Sequence, residues 1–199
     1  MKQKILDTKL PSQLDQFRGG LELGLRAARG FSRVIEDEIS DRFGKALPAT
    51  KDEVARRSVM DDLLQKHAPE GQLTMPRLRS VKLPGVDFES SNCVNFLVDF
   101  EFEGRRPDLP KTAYVKIPCA ETWPRVFANT LGYWSLECLF CSRIAQHIPI
   151  RIPNVYAVAE RGSRFILVME NLNESVDARM FINRDMAAGT TPERAERVL

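Results

Sequence analysis

Val94-Asn95-Phe96-Leu97-Val98-Asp99-Phe100-Glu101 is the stretch on which the fold turns. Valine and phenylalanine recur at every second position, with Asn95, Leu97, Asp99 and Glu101 between them. Side chains alternate across a strand but repeat every 3.6 residues on a helix, so this spacing predicts a half-buried β-strand. Ahead of it, Val81 to Val86 predicts another strand, joined through Asp87 to Asn92. Behind it, Gly104 to Pro110 is a polar turn with two prolines, and Thr112 to Ile117 predicts a third strand, bounded by Pro118. Three consecutive strands on short loops make an antiparallel meander.

Outward toward the C-terminus, Thr122-Trp123-Pro124 opens a long helix, with proline suited to a first turn. Its apolar positions Phe127, Leu131, Trp134, Cys138, Cys141 and Ala145 form a stripe, and Ile148-Pro149 ends it. Two further strands follow, Asn154 to Ala159 and Arg164 to Glu170, across the Arg161-Gly162-Ser163 turn. Beyond Leu172 the chain turns polar, and Thr191-Pro192-Glu193 predicts the start of another helix.

Outward toward the N-terminus, residues 1–68 predict helix. Phe31, Val34, Ile35, Ile39 and Phe43 define an apolar face, with Glu36, Asp37 and Asp41 on the others. The Gly19-Gly20 pair weakens any helix before Leu21. Thr50-Lys-Asp-Glu53 has the form of a capping box opening a second helix through Leu64. The expected class is α+β: a helical extension over 1–77, a five-stranded antiparallel sheet with one long helix over 78–172, and a linker over 173–199.

Composition narrows the function. With 29 basic and 27 acidic residues in 199, net charge is +2 and evenly spread, which gives no electrostatic case for nucleic acid or an acidic membrane. No apolar run is long enough to span a bilayer. The first residues lack the apolar core of a secretory signal, so a reducing cytoplasm is the expected compartment. Cys138 and Cys141 read as small buried hydrophobes on the helix stripe, and His67 and His147 as surface or helix-end residues. No phosphate-binding G-x-x-x-x-G-K-[ST] loop and no G-x-S-x-G nucleophile elbow occurs.

Two residues carry more. Alternation in Ala113-Tyr114-Val115-Lys116-Ile117 sets Tyr114 and Lys116 on one face of the third strand. A lysine in the middle of a central strand wants an anion or solvent for its ammonium. Glu137, between Trp134 and Cys138, lies at the margin of the helix stripe and wants a cation. Each alone reads as a solvated charge. Together, 21 residues apart, they have the arrangement of a phosphate-positioning ion pair. Ser90, Ser91 and Asn92 offer hydroxyls and backbone N–H groups in a turn, although no glycine lies between Gly85 and Gly104. The strand Phe165 to Glu170 ends abruptly at Asn171-Leu172, a place where backbone groups can meet a flat heterocycle.

This order of strands, lysine, glutamate helix and apolar-acidic junction resembles the N-terminal lobe of protein-kinase-like folds. Tyr114-Val-Lys-Ile-Pro118, the Glu137 helix, Ile148-Pro-Ile-Arg-Ile-Pro-Asn-Val-Tyr156 and Leu167-Val-Met-Glu-Asn-Leu172 are similar to the aminoglycoside phosphotransferase and ecdysteroid-kinase-like group. The resemblance covers about Val81 to Leu172. It implies an ATP-dependent phosphotransferase acting on a small-molecule hydroxyl. Lys116 would bind the α- and β-phosphates and Glu137 would pair with it. The backbone of Glu170, Asn171 and Leu172 would hold adenine, and Ser90, Ser91 and Asn92 would lie over the phosphates. The catalytic aspartate and the Mg²⁺ ligands of that group belong to a larger C-terminal lobe. No H-x-D occurs in the 199 residues, so they are expected beyond Leu199 and this stretch is expected to be inactive alone. The rival expectation is a non-catalytic interaction module or pseudokinase-like scaffold, in which Lys116 and Glu137 are unrelated surface charges.

Overall fold

The structure is a computed structural model that describes residues 13–71, 75–88, 90, 92–104 and 108–175. The expected helix start at Thr191-Pro192 and most of the 173–199 linker lie outside the described residues. The architecture is α+β: a long N-terminal helix, then an antiparallel sheet with helices on both faces.

The sheet is built from β1 (Leu78–Lys82), β2 (Asp87–Phe88), β3 (Cys93–Phe102), β4 (Thr112–Pro118), β5 (Val155–Arg161) and β6 (Arg164–Glu170). Its order is β1-β3-β4-β6-β5, with β2 pairing β3. The expected strand over Val81 to Val86 is corrected: pairing begins at Leu78 and ends at Lys82. Gly85, at φ 76°, turns the chain there, and the two-residue β2 resumes pairing at Asp87 opposite Phe96.

Alternation along β3 and β4 sends Phe96, Val98, Phe100, Ala113, Val115 and Ile117 to one face. They meet α2 (Lys51–Val54) and α3 (Arg57–Lys66) through Val54, Met60, Leu63 and Leu64, all buried. The capping box forms as expected, with the Thr50 hydroxyl accepting from Glu53 N–H and the Glu53 carboxylate accepting from Thr50 N–H, but the single helix expected through Leu64 breaks at Ala55–Arg56 into α2 and α3. His67 follows α3, and its carbonyl accepts from Val158 N–H at 2.8 Å, tying the helix to β5.

The opposite face of the sheet receives α4 (Thr122–Leu131) and α5 (Tyr133–Leu139), whose Ala128, Trp134 and Cys138 pack on Cys93, Phe165 and Leu167. The single long helix of the sequence reading is therefore two. Gly132 takes φ 70°, a left-handed conformation that stops α4 and redirects the axis. The break shifts the buried face, so Trp134, Cys138 and Ala145 are buried as the stripe implied while Phe127 is exposed. Past α5 the chain continues in a wide turn over Phe140–Ile144 and a tight one over Ala145–His147.

Helix α1 (Gln13–Arg42) runs through Gly19-Gly20 and lies on α4. Its buried residues are Gly30, Val34 and Asp37, whereas Phe31, Ile35, Ile39 and Phe43 are exposed. This reverses the apolar-face expectation. At Gly30 a Cβ would stand 2.9 Å from the Val126 carbonyl, so only glycine lets the two helices approach this closely. Once α1 docks through Gly30, the residues four and seven positions on, Val34 and Asp37, share its face and are buried with it. Asp37 lands against Arg125 and the β5–β6 turn.

Candidate functional site

Strand register builds the site. Phe88, Asn95, Lys116, Leu167 and Val158 form one continuous row across β2, β3, β4, β6 and β5. Residues directly opposite in adjacent strands share a face, so this row lies beneath α5. From α5, Glu137 reaches down to Lys116. The ammonium donates to both carboxylate oxygens, at 2.7 Å to Oε1 and 2.8 Å to Oε2. Both side chains are partly buried, at 22% and 33% exposure, so the pair is less screened than a surface bridge and still open to a ligand.

Beyond Lys116 the same face carries Leu97, Tyr114 and Met169, aligned across β3, β4 and β6 and each half-buried. The Tyr114 ring lies 5.4 Å from that of Phe88. Burial pushes the Tyr114 hydroxyl up to about 12, so it remains a neutral phenol across the physiological range. An apolar and aromatic platform thus adjoins a strand ammonium. The Lys116 ammonium, paired with Glu137, stands at one end of this face and the Tyr114 ring next to it along the strand.

The remaining sequence-derived residues fall at the two ends of β4. Ala113 pairs with Glu170, three residues from Lys116, or about 10 Å along the strand. The Glu170 carboxylate is itself committed: it accepts from Arg151 Nη2 at 2.6 Å and from Asn154 N–H at 2.9 Å. Asn171 donates from Nδ2 to the Thr112 hydroxyl at 2.9 Å, while its Oδ1 accepts from Asn173 N–H. These bonds fix the junction into α6 (Leu172–Ser175), where the Glu170 N–H also donates to the Asn154 carbonyl at 2.8 Å and the Asn171 carbonyl accepts from Glu174 N–H at 3.0 Å. At the other end, Cys93 pairs with Pro118. There Ser90 is exposed, and the Asn92 carbonyl accepts from Cys119 N–H at 3.2 Å. Ser91 lies outside the described residues.

Sequence reading missed Asn95. The alternation sets it among the outward polar positions of β3, yet it is 5% exposed and its Oδ1 has no hydrogen-bond partner among the described residues. The carboxamide stands in the row between Phe88 and Lys116. A buried acceptor without a donor costs about 1–3 kcal/mol, which marks this position as one a ligand would relieve. A single sequence gives no sign of it, because a solvated asparagine on a half-wet strand reads identically.

A second polar cluster was also missed. Arg125 Nη2 donates to Asp37 Oδ2 at 3.2 Å and to the Ser163 hydroxyl at 2.6 Å, and Nη1 to Glu38 at 3.1 Å. Ser163 N–H donates to Asp37 at 2.8 Å. Arg164 is paired with Asp41 and bonds the Leu47 carbonyl at 2.7 Å. The hydrogen bond from Arg164 holds the Asp41 carboxyl below the usual range despite partial burial. Both arginines border a cleft of about 240 Å³, but their charges are answered by α1 carboxylates. This is the clamp holding α1, not a second binding site.

The four cysteines are unpaired. Burial pushes the Cys93 and Cys141 thiols up to about 11 and Cys138 higher still; of the two read as buried hydrophobes, Cys138 is buried and Cys141 half-buried. Among the described residues no group of three or more His, Cys, Asp or Glu side chains is placed to hold a metal ion, and no helix is long and apolar enough to cross a membrane.

Fold and site together define an α+β protein whose antiparallel sheet presents a lysine–glutamate pair beside an aromatic platform. Compared with protein-family models, with curated proteins and with solved structures, the chain gives no match.

Proposed function

We propose that this chain is the nucleotide-binding lobe of an ATP-dependent phosphotransferase with a protein-kinase-like fold, acting on the hydroxyl of a small molecule. The observation that carries the reading is the bidentate Lys116–Glu137 pair beneath α5. Lys116 would contact the α- and β-phosphates, and Glu137 would hold the ammonium in place for them. The purine would lie over Leu97, Tyr114 and Met169, with its edge toward the main chain of Glu170 to Leu172. Ser90 and Asn92 would lie nearest the phosphates. The separation of about 10 Å between the Glu170 junction and Lys116 suits the base-to-phosphate span of an extended nucleotide. Mg²⁺ would arrive on the phosphates, and the residues that bind it and orient the acceptor hydroxyl would come from sequence C-terminal to Leu199. Catalysis by these 199 residues alone is therefore not expected.

A non-catalytic interaction module is the second reading, favoured by the exposed apolar side of α1. Thermal melting with ATP and with Mg-ATP separates the two. The nucleotide-binding lobe gains stability with ligand concentration, and the gain falls in Lys116→Ala. A wild-type melting curve that ATP leaves in place rejects the nucleotide reading.

A further inference from the structure

Helix α1 spans 30 residues, about 45 Å, and is buried on α4 at Gly30, Val34 and Asp37, with Glu38 and Asp41 paired to Arg125 and Arg164. From Arg18 to Arg29 every residue is exposed except the half-buried Ala27. Gly19, Gly20 and Gly24 lie in this arm, and each weakens a solvated helix. Helices of this kind persist by packing an apolar face. On the side turned away from Gly30, Val34 and Asp37 there is such a face: Leu21, Leu25, Phe31, Ile35 and Ile39, with Phe43 in the turn just past the helix end, are 45% to 71% exposed.

Four of the six positions are symmetric about Ser32, whereas Phe31 and Ile35 have Arg33 and Arg29 at the mirrored places. Leu21 and Phe43 lie eleven residues to either side of it, and Leu25 and Ile39 seven. Ala28 and Ser32 leave the centre small, so a second helix can approach closely there. A two-fold axis through Ser32 sets each Leu21 on Phe43 of the other copy and each Leu25 on Ile39. On one edge of the stripe, exposed Arg29 and Glu36 are placed so that the same axis apposes them across the pair, twice. Six half-exposed side chains of roughly 100 Å² each from two copies give about 1,200 Å², the lower bound for a stable interface.

We infer that this face of α1 pairs antiparallel with α1 of a second copy of the chain, making a two-fold dimer. The inference does not depend on nucleotide binding.

Sedimentation equilibrium of the 199-residue chain at micromolar concentrations tests it. The expected species has twice the 22.6 kDa chain mass and dissociates on dilution. Ile39→Glu, on an exposed position, is expected to leave a monomer with the thermal transition of the sheet retained. Ser32→Cys is expected to give an oxidised covalent dimer, and Arg33→Cys, off the stripe, none above the wild-type background. Leu21→Cys mixed with Phe43→Cys is expected to cross-link where neither does alone. A monomeric wild type, a dimer that survives Ile39→Glu, cross-linking of Arg33→Cys equal to Ser32→Cys, or cross-linking of Leu21→Cys by itself would each overturn the antiparallel pairing.

Discussion

Replacing Arg125 with leucine removes the guanidinium that joins α1 to the rest of the molecule. Arg125 and Asp37 are each 4% exposed at the side chain, so neither charge reaches solvent once its partner is gone. In Arg125→Leu the Asp37 carboxylate keeps the Ser163 N–H and hydroxyl donors but loses the guanidinium at hydrogen-bond distance. Breaking one side of a buried pair costs about 3–5 kcal/mol, which for a chain of this size lowers the melting temperature by roughly 6–20 °C. Asp37→Leu leaves Arg125 with exposed Glu38 and Ser163 and should cost a similar amount. The double variant, with both charges gone, should be more stable than either single one, because two apolar groups replace two desolvated ions. The Arg125 Nε, buried without an acceptor in the wild type, adds to that recovery. Urea and thermal unfolding followed by circular dichroism give the four corners of the cycle. If the double variant loses the sum of the two single losses, the pair is not what anchors α1.

Gly162 tests the same junction from the other side. It has φ 60°, and a Cβ there would overlap the Asp37 carboxylate, so Gly162→Ala should destabilise by more than the ~1–2 kcal/mol of left-handed backbone alone, read by the same melts. Asn95→Leu should move two readouts in opposite directions. Removing the unpaired buried acceptor should raise stability by about 1 kcal/mol, while nucleotide affinity falls if the row beside Lys116 is where ligand binds. Asp61 sets an acid limb. Burial raises its carboxyl, but the Leu78 N–H at 2.9 Å and the Arg77 guanidinium at 2.6 Å outweigh that and hold it below the usual range. A depressed carboxyl contributes stability above its unfolded value of about 4, and that contribution is lost as pH falls through the folded one. The stability deficit of Asp61→Asn should therefore be full at neutral pH and shrink below about pH 4; a deficit independent of pH would contradict the assignment.

Periodicity made the sheet legible. The alternation of Phe96, Val98 and Phe100 and of Ala113, Val115 and Ile117 is set by one buried face, and the apolar run Phe165 to Met169 by burial on both. The pairing of Lys116 with Glu137 was legible too, since strand alternation and the helix margin together place both groups on one side of β4. What escaped was decided by docking. Periodicity predicts a buried apolar face on α1, but Gly30 admits α4 on a different side, so Asp37 is enclosed and Ile35 and Ile39 face water. The stripe from Phe127 to Ala145 was read as one helix because Gly132 counts only as a weak helix residue until its positive φ is seen. Asn95 escaped because what encloses it is the packing of neighbouring elements, which strand alternation alone does not reveal.

The central claim is that Lys116 and Glu137 mark a nucleotide-phosphate site, and calorimetric titration of ATP into the wild-type chain and Lys116→Ala tests it most directly. A lysine bound to a phosphate contributes a charge-assisted hydrogen bond of about 1.5–3 kcal/mol, so the account predicts saturable binding that Lys116→Ala weakens by roughly 10- to 100-fold. Saturable binding of equal affinity in both proteins, or none in the wild type, would contradict it.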